Sequence, residues 1–182
     1  MRIIAGEFRS RRLKSLPGDA TRPTPDRLRE TLFNILAPRI DGAIFIDAYA
    51  GTGAVGIEAL SRGAGHVFFL ERNRAALEVI RENLEALKVG PRATVVAGPV
   101  LLTLERQPAG IVFLDPPYSQ EREYTAALDL LSGMTPVLVI VQHSTRLNLA
   151  DSYGTLERTR LVRQGDNALS FYRPAAAEPS EG

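Results

Sequence analysis

Short apolar segments alternate with amphipathic stretches along most of the chain, beginning at Ile44. The apolar segments have the length of buried strands, whereas the amphipathic stretches repeat apolar residues every three or four positions, as helices do. This alternation predicts an α/β fold, with a mostly parallel twisted sheet that helices cover on both faces. The predicted strands are Ile44–Ile46, Val67–Leu70, Thr94–Val96, Ile111–Leu114 and Val137–Val141. The predicted helices lie near 25–37, from 55 up to Gly63, between Glu71 and Gly90-Pro91, and near 99–107 and 122–132.

The two ends of the chain depart from this alternation. Segments near 155–163 and 168–173 both resemble strands and have no helix between them, which predicts antiparallel strands at one edge of the sheet. The segment Arg2–Leu16 predicts a small hairpin that turns near Gly6. We therefore divide the chain into a basic N-terminal arm over 1–22, a main domain over 23–174 and a flexible tail over 175–182.

The composition is that of an ordinary globular protein with one main domain: 182 residues, of which 45% are hydrophobic and 24% charged. The absence of cysteine excludes disulfides, thiolate metal sites and a cysteine nucleophile, and two histidines are too few for a His-rich site, so we expect no metal. No apolar segment has the length of a membrane span and the N-terminus lacks a signal-peptide pattern, so we expect a cytoplasmic protein without a membrane partner.

The charge is unevenly distributed along the chain. Residues 1–40 contain nine Lys or Arg and four acids, a net charge of +5, whereas the remainder contains 13 basic and 17 acidic residues, a net charge of −4. A basic arm on a mildly acidic body indicates an anionic partner, with nucleic acid as the first candidate and a solvated surface segment as the alternative. If the arm is only solvated, the next basic surface to consider lies around Arg146 and Arg158–Arg163.

A glycine-rich loop, Asp47–Gly56, follows the first predicted strand of the sheet. Its glycines allow a tight turn into a helix and a close approach of a ligand to the backbone. Glu71 ends the next strand, 18 residues after Gly53, where a carboxylate can accept hydrogen bonds from both hydroxyls of a ribose. The loop and the acid together predict an adenosine-type cofactor at the carboxyl edge of the sheet.

Two cofactors and a ligand-free turn are all compatible with this loop. Gly51–Gly56 matches the G-x-G-x-x-G pattern of dinucleotide sites, so NAD is a candidate. Asp47 argues against NAD, because a carboxylate at the mouth of the first strand would repel a pyrophosphate but would hold the ammonium group of a methionine moiety. S-adenosylmethionine is therefore the preferred cofactor, and a tight strand–helix turn without a ligand is the other alternative.

The sequence Asp115-Pro116-Pro117-Tyr118 follows another buried strand and should lie at the same edge of the sheet as the glycine loop. Because the two prolines lack N–H donors, the turn presents only acceptors, the Asp115 carboxylate and the Pro116 carbonyl. These acceptors suit a planar exocyclic amine: they hold both N–H groups, direct the nitrogen lone pair at an electrophilic methyl group, and favour the positive charge that develops. Tyr118 supplies an aromatic face for the base. A rigid surface turn without chemistry is the alternative interpretation.

With these motifs, the chain resembles the Rossmann-like, class I S-adenosylmethionine-dependent methyltransferases, and within them the RsmD family. Members of that family methylate the exocyclic N2 amine of a guanine in bacterial small-subunit (16S) ribosomal RNA. The resemblance extends from Arg2 to about Pro174 and rests on Arg2–Gly6, Arg22–Thr24, Asp26–Arg27, Arg29–Asn34, Asp47–Gly56, Glu58–Ala64 and Asp115–Tyr118. The Arg-Pro-Thr and Arg-Glu-Thr-Leu-Phe-Asn sequences are specific to the family, whereas the glycine loop is common to the superfamily.

The resemblance implies a role for individual residues of this chain. The cofactor would be bound by Thr24, Asp47, Tyr49, Gly51, Thr52, Gly53, Glu71 and Arg72, with Asp47, Gly51 and Gly53 at its methionine end and Glu71 on the ribose. The catalytic turn would be Asp115, Pro116, Pro117 and Tyr118. RNA would contact Arg2, Arg9, Arg11, Arg12, Lys14, Arg22 and Arg27, of which Arg22 and Arg27 would lie nearest the active-site mouth. The expected partner is small-subunit ribosomal RNA, free or in an assembling particle, and the expected state is a monomer.

Two positions depart from the family pattern. Gly98-Pro99 stands where an Asp or Asn usually binds the adenine amine, and Gln142 stands where a Glu is frequent, so neither is assigned a catalytic role. His143 is expected to be structural. Two other functions stay open: a DNA adenine-N6 methyltransferase, because the Asp-Pro-Pro-Tyr turn serves any exocyclic amine, and a non-catalytic RNA-binding assembly factor that kept the fold.

Overall fold

The computed structural model describes residues 1–17 and 24–176, which form one sheet flanked by helices. The strands are β1 (Ile44–Ala48), β2 (His66–Glu71), β3 (Ala93–Ala97), β4 (Ile111–Leu114), β5 (Leu138–Ser144), β6 (Ser152–Tyr153), β7 (Leu156–Gln164) and β8 (Asn167–Pro174). The α-helices are α1 (Asp26–Ile40), α2 (Ala54–Ser61), α3 (Arg74–Leu87), α4 (Val100–Thr103) and α5 (Glu121–Ser132), and short 3-10 turns cover Gly90–Arg92 and Leu104–Arg106. Within these residues, no helix combines the length and the apolar character needed to cross a membrane.

The strands follow the order β3-β2-β1-β4-β5-β8-β7-β6 across the sheet. The strands from β3 to β5 are parallel, whereas β8, β7 and β6 run antiparallel to their neighbours. The predicted α/β sheet with an antiparallel C-terminal edge is therefore confirmed. β5 extends three residues beyond the predicted end at Val141, because its last residues pair with the first residues of β8. β6 is only two residues long, too short for a hydrophobic pattern to reveal.

The strand order brings several strand ends together at one edge of the sheet. β1 lies between β2 and β4, with Ala48 opposite both Leu70 and Leu114. Leu114 in turn lies opposite Val141 of β5. The residues that directly follow these strands therefore share the carboxyl edge of the sheet, which is where open α/β sheets bind their ligands.

Apolar residues form a core on each face of the sheet. One core takes in α1, α2 and α3, and the other takes in α4 and α5. α3 begins after Asn73, whose side-chain oxygen accepts a hydrogen bond from the backbone N–H of Ala76 and so caps the helix. It buries the apolar face that the sequence predicts, formed by Leu77, Ile80, Leu84 and Leu87.

The N-terminal arm is a hairpin-like loop rather than a pair of strands. A single antiparallel bridge joins Arg2 to Arg12. Three apolar side chains of the arm, Ile3, Phe8 and Leu13, are buried in the same core as α1, α2 and α3. The arm is thus packed against the main domain over the described residues 1–17.

Two residues of α2, Glu58 and Ser61, hold the arm in place. The Glu58 carboxylate accepts hydrogen bonds from the backbone N–H groups of Ile4 (2.9 Å) and Ala5 (3.0 Å). The approach to Ser61 is so close that a Cβ atom on Gly6, which has φ +85°, would lie 1.8 Å from the Ser61 carbonyl oxygen. Because α2 starts at the carboxyl edge of the sheet and ends at Ser61, this contact lies toward the opposite, amino edge.

Candidate active site

A cleft of about 580 Å³ opens at the carboxyl edge of the sheet, above β1, β2, β4 and β5. Its walls bring together most of the residues that the sequence singles out. They include Thr24, Asp47, Tyr49, Gly51, Thr52, Glu71, Arg72, Asp115, Pro116, Pro117 and Tyr118. Residues to which the sequence assigned no role, among them Glu123, Gln142 and Asn167, also line the cleft. The glycine loop and the Asp-Pro-Pro-Tyr turn therefore face one common space.

The two central glycines of the loop have different surroundings. A Cβ atom on Gly51 would meet nothing within 4 Å, and Gly51 borders the cleft. A Cβ atom on Gly53 would instead lie 3.2 Å from Ile80 and 3.4 Å from Phe69, in the protein interior. Gly53 is not among the residues that line the cleft. It stands at the start of α2 with φ +81°, and its place at the methionine end of the cofactor stays a prediction.

Glu71 is held at the cleft wall by three backbone N–H groups. Its Oε2 accepts from Gly51 (2.8 Å), and its Oε1 accepts from Arg72 and Asn73 (2.8 Å each). Oε1 uses both of its lone pairs in these bonds, whereas Oε2 keeps one for a donor in the cleft. An oriented carboxylate at the end of the second strand is the acceptor that a ribose hydroxyl requires.

Asp47 is a buried carboxylate, 2% exposed, at the floor of the cleft. Burial raises its pKa well above the ordinary value, and the neighbouring Asp115 and Glu71 carboxylates raise the pKa further. The backbone N–H of Gly56 donates to Asp47 Oδ2 at 2.8 Å and opposes that rise. Gly56 permits this contact, because a Cβ atom there would lie 2.3 Å from the Phe69 ring. A cationic ligand beside Asp47 would relieve the cost of burying its charge.

Asp115 directly follows β4 and has a different environment from Asp47. Its carboxylate forms no side-chain hydrogen bond with any of the residues described in the structure, while its neighbour Pro116 is buried. Burial raises the pKa of Asp115 to about 7. An acceptor that is desolvated and unpaired favours a ligand that donates hydrogen bonds.

The carbonyl of Pro116 accepts a hydrogen bond from the hydroxyl of Tyr124 at 2.9 Å. Tyr124 lies on α5, is 1% exposed, and therefore fixes the carbonyl from inside the protein. A carbonyl oxygen has two lone pairs, so one acceptor position is left for a ligand. The sequence analysis did not identify Tyr124, because its position fits the apolar pattern of an ordinary amphipathic helix.

Two tyrosines of the cleft are tied down by their hydroxyl groups. Tyr118 donates to Asn167 Oδ1 at 2.7 Å, which links the Asp-Pro-Pro-Tyr turn to the first residue of β8. Tyr49, which has φ +64°, donates to Glu123 Oε2 at 2.6 Å, and this joins the glycine loop to α5. The tyrosine rings are therefore held in set positions at the cleft wall.

Gln142 is a cleft residue to which the sequence analysis assigned no role. Its Oε1 accepts a hydrogen bond from Thr24 Oγ1 at 3.0 Å, and both side chains are buried. The signal that could have found it is register: Leu114 pairs with Val141, so the next residues, Asp115 and Gln142, are adjacent at the edge of the sheet.

His143, the next residue along β5, is 3% exposed. Its Nδ1 lies 2.9 Å from the Ser144 carbonyl oxygen and therefore carries the proton, which leaves Nε2, 2.8 Å from Ser170 Oγ, as an acceptor. Burial lowers the pKa of His143. Its two ring nitrogens are thus paired within the sheet, in agreement with a structural role.

The structure separates the basic residues of the arm from the cleft. Arg11 Nη2 donates to the Ala86 carbonyl (3.0 Å), and Lys14 Nζ forms an ion pair with Glu82 (2.7 Å). Both partners lie on the last turns of α3, and α3 begins at the carboxyl edge and ends at the amino edge. Residues Arg9, Arg11, Arg12 and Lys14 therefore do not come together with the Asp-Pro-Pro-Tyr turn.

The other basic residues of the predicted RNA set have separate positions. Arg27 is exposed in the first turn of α1, two residues after the cleft residue Pro25. Arg2 joins the arm bridge, and its carbonyl accepts a hydrogen bond from Arg29 at 2.7 Å. Arg22 lies outside the described residues, as does most of the predicted tail. Within the described residues, no cluster of three or more His, Asp or Glu side chains could hold a metal ion.

The strand order, the antiparallel edge and the cleft define a class of protein, the Rossmann-like class I methyltransferases. The family model described as "Conserved hypothetical protein 95" matches residues 1–173, and the chain belongs to this family, the RsmD family. The resemblance that the motifs indicate is therefore confirmed over nearly the whole chain.

Individual relatives agree with this assignment. The chain is 34% identical to YlbH from Bacillus subtilis, a proposed rRNA methyltransferase by name, over 95% of this chain and 98% of that protein. It is 44% identical over 119 residues to "Ribosomal RNA small subunit methyltransferase D" from Escherichia coli, which covers 65% of this chain and 60% of that one. Among solved structures it is similar to yhhF from Escherichia coli, a proposed methyltransferase, with 33% identity and a TM-score of 0.83 over 97% of this chain and 99% of that one.

Proposed function

We propose that this protein transfers a methyl group from S-adenosylmethionine to the exocyclic N2 amine of a guanine in small-subunit ribosomal RNA. The observation that carries the proposal is the Asp115 carboxylate, which is only partly solvated, has a pKa raised to about 7 by burial, and shares one cleft with Glu71. A carboxylate kept without partners at a sheet edge is costly to the fold and is typical of a functional site.

The residues of the first half of the cleft fit S-adenosylmethionine. Glu71, fixed by three N–H groups, would bind the ribose hydroxyls, and the buried Asp47 would bind the amino group of the methionine moiety. Gly51, Thr52 and the backbone of Tyr49 would line the part of the cleft that S-adenosylmethionine occupies. The cofactor supplies an electrophilic methyl group on a positively charged sulfur. The acidic floor of the cleft suits that charge better than it suits a dinucleotide pyrophosphate.

The residues of the second half would hold the amine. Asp115 and the free lone pair of the Pro116 carbonyl would accept the two N–H groups, which directs the nitrogen lone pair away from the base and toward the methyl group. The Asp115 carboxylate would also stabilise the positive charge that develops on the nitrogen. Tyr118 would stack on the base, with its ring held by Asn167. Such a geometry requires the base to be unstacked, which favours a loop nucleotide of RNA.

The choice of ribosomal RNA rests on the relatives, since one of them is named as a small-subunit ribosomal RNA methyltransferase. The proposed site of action is the cytoplasm, where that RNA is found, and the proposed active form is a monomer. The geometry of the amine site alone would also accept an adenine N6 group, so the base has to be established by experiment.

The test is a methyl-transfer assay with labelled S-adenosylmethionine and three substrates: naked 16S RNA, small subunits from a strain lacking this protein, and duplex DNA. We expect label in RNA or in the subunits, on the N2 amine of one guanine after digestion and mass spectrometry. Label in adenine of duplex DNA would overturn the guanine assignment. Absence of transfer to all three substrates, together with no S-adenosylmethionine binding by calorimetry, would favour a binding protein without activity.

Calorimetry with Glu71→Gln gives a second check of the cofactor site. Loss of charge-assisted hydrogen bonds to buried hydroxyls should weaken S-adenosylmethionine binding by about 1–3 kcal/mol. Glu78→Gln is the matched control, because Glu78 is an exposed carboxylate on α3 whose only ion pair in the described residues is with Arg74. If the two variants bound S-adenosylmethionine with equal affinity, Glu71 would not be a cofactor-binding residue.

A further inference from the structure

One flank of the cleft is built from three separate elements that meet at the Asp-Pro-Pro-Tyr turn. The hydrogen bond between Thr24 and Gln142 places the start of α1 against the end of β5. The turn between β7 and β8 closes on the same strand, since Asn167 pairs with Ser144 and the backbone N–H of Thr145 donates to the Asp166 carbonyl at 2.9 Å. Asn167 then binds the hydroxyl of Tyr118. This surface, formed by the first turn of α1, residues 144–147 and residues 163–167, is called the substrate flank below.

The substrate flank carries three exposed arginines: Arg27 in the first turn of α1, Arg146 just after β5, and Arg163 near the end of β7. None of the three forms an ion pair with another residue in the described ranges. Of the two acids nearby, Asp26 is already paired with the buried Arg29 at 2.9 Å, so Asp166 alone stands against the three arginines. The flank therefore has uncommitted positive charge beside the place where a base would enter.

The opposite flank of the cleft has the reverse charge. The first turn of α5 carries Glu121 and Glu123 against the single Arg122. A polyanion that inserts a base between Tyr118 and Asp115 would be repelled on the α5 side and attracted on the substrate flank. This difference in charge favours a path of the RNA backbone across the substrate flank rather than across α5.

The arm is further from this point than the substrate flank is. Two of its basic side chains, Arg11 and Lys14, are used in contacts with α3. α3 has 14 residues, and these contacts, at Glu82 and Ala86, lie roughly 12–18 Å along the helix axis from its start at the carboxyl edge. An RNA strand whose target base lies in the cleft reaches the substrate flank first.

We propose that the RNA backbone docks on the substrate flank, with Arg146 and Arg163 as phosphate-binding residues next to the target nucleotide. This inference rests on the proposed function, since it assumes an RNA substrate. The contacts would position the strand and carry no sequence information, as is usual for phosphate contacts. The arm then has a secondary part in RNA binding, and its main contacts are those with α2 and α3.

The experiment compares two charge-matched double variants of the full chain. The substrate-flank variant is Arg146→Gln with Arg163→Gln, and the arm variant is Arg9→Gln with Arg12→Gln. All four arginines are exposed, and none forms an ion pair with other residues of the described ranges. Affinity for a fluorescent 16S RNA transcript is measured by anisotropy from 50 mM to 500 mM salt. S-adenosylmethionine binding by calorimetry checks that the body of each variant is folded.

We expect the substrate-flank variant to flatten the log–log salt slope by about 1.4, because each lost phosphate contact on single-stranded RNA removes about 0.7. The same loss corresponds to roughly 10- to 30-fold weaker binding near 0.1 M salt. The arm variant should change the affinity less than threefold. A larger effect in the arm variant, or an unchanged slope in the substrate-flank variant, would overturn the proposal. Failure of the wild-type chain to bind RNA while it methylates DNA would instead contradict the proposed function.

Discussion

Two carboxylates with little exposure to solvent, Glu58 and Asp115, differ in the number of hydrogen bonds that they accept. Glu58 Oε1 accepts hydrogen bonds from Ala5 and from Arg62 Nε (2.8 Å), and Oε2 accepts from Ile4, with the buried Arg29 Nε 3.8 Å away. Asp115 accepts no side-chain hydrogen bond from the described residues, and burial raises its pKa to about 7. The first carboxylate lies toward the amino edge of the sheet and the second at the carboxyl edge.

The difference separates a structural acid from a functional one. A carboxylate that is saturated by donors stabilises the elements that supply them, and here it joins the arm to α2. A desolvated carboxylate without donors costs the fold free energy and is left available for a ligand. Glu58 is fully buried and Asp115 is partly exposed to the cleft, but the clearer difference between them is the number of committed donors.

Removing Glu58 should cause the largest change in stability. Glu58→Ala leaves the fully buried Arg29 with the half-exposed Asp26 as its remaining carboxylate partner and leaves two backbone N–H groups of the arm without their acceptor. We expect a loss of about 3–5 kcal/mol in the free energy of unfolding, measured by urea denaturation at pH 7.5. Glu78→Ala is the control: its ion pair with Arg74 is exposed, so its loss should cost less than about 1 kcal/mol. Equal effects from the two substitutions would show that Glu58 is not an anchor.

Removing the Asp115 charge should cause the largest change in activity. Asp115→Asn keeps the size of the side chain but loses the charge that stabilises the developing cation. Turnover should fall on the order of 10²–10³-fold, whereas S-adenosylmethionine affinity should stay within twofold by calorimetry. Asp129→Asn, on the exposed face of α5, should keep wild-type turnover. A wild-type rate for Asp115→Asn on RNA would exclude the amine-binding role.

The same Asp115→Asn variant should be more stable than the wild type at high pH. The pKa of Asp115 is about 7 in the folded chain and about 3.9 when unfolded. Because the folded-state pKa is raised, its stabilising contribution is complete below about pH 4 and is lost as the pH rises through 7.

The asparagine side chain does not ionise, so it avoids that loss. At pH 8 the variant should gain about 1–3 kcal/mol in the free energy of unfolding, less than the full pKa difference because the group is partly solvated. The gain should shrink to zero near pH 4 in a series of urea titrations. A variant less stable than the wild type at pH 8 would show that the Asp115 charge is compensated in the fold.

The sequence predicted those parts of the molecule whose contacts are local or follow from strand periodicity. The positions of the apolar segments predict the five parallel strands, and the spacing of apolar residues predicts the buried face of α3. The ends of the strands predict that Glu71 and the Asp-Pro-Pro-Tyr turn lie in one cleft. Parallel strands have their carboxyl ends at one edge, so residues next to those ends in sequence come together in space.

Contacts across long sequence separations could not be predicted in this way. Thr24 and Gln142 are 118 residues apart, and Tyr118 and Asn167 are 49 residues apart. The arm position depends on donors from its own backbone, which any residue type supplies, so the sequence carries no sign that Glu58 binds them.

The smallest expected effect on turnover comes from removing the Tyr124 hydroxyl group. Removal of the Tyr172 hydroxyl group is the matched control. Tyr124 donates to the Pro116 carbonyl at 2.9 Å, and Tyr172 donates to the Ala150 carbonyl at 2.7 Å, well away from the Asp-Pro-Pro-Tyr turn. Both side chains are buried, so each change to Phe leaves a carbonyl without its partner and should cost about 1 kcal/mol of stability.

Turnover should distinguish the two tyrosines, because only Tyr124 orients an acceptor of the amine. Tyr124→Phe lets the Pro116 carbonyl reorient, so kcat should fall by roughly 3- to 10-fold, the equivalent of about 1 kcal/mol, with little change in KM for RNA. Tyr172→Phe should keep the wild-type kcat despite a similar loss of stability. If the two variants lost turnover in equal measure, the effect would follow from stability alone, and Tyr124 would have no positioning role beside Asp115.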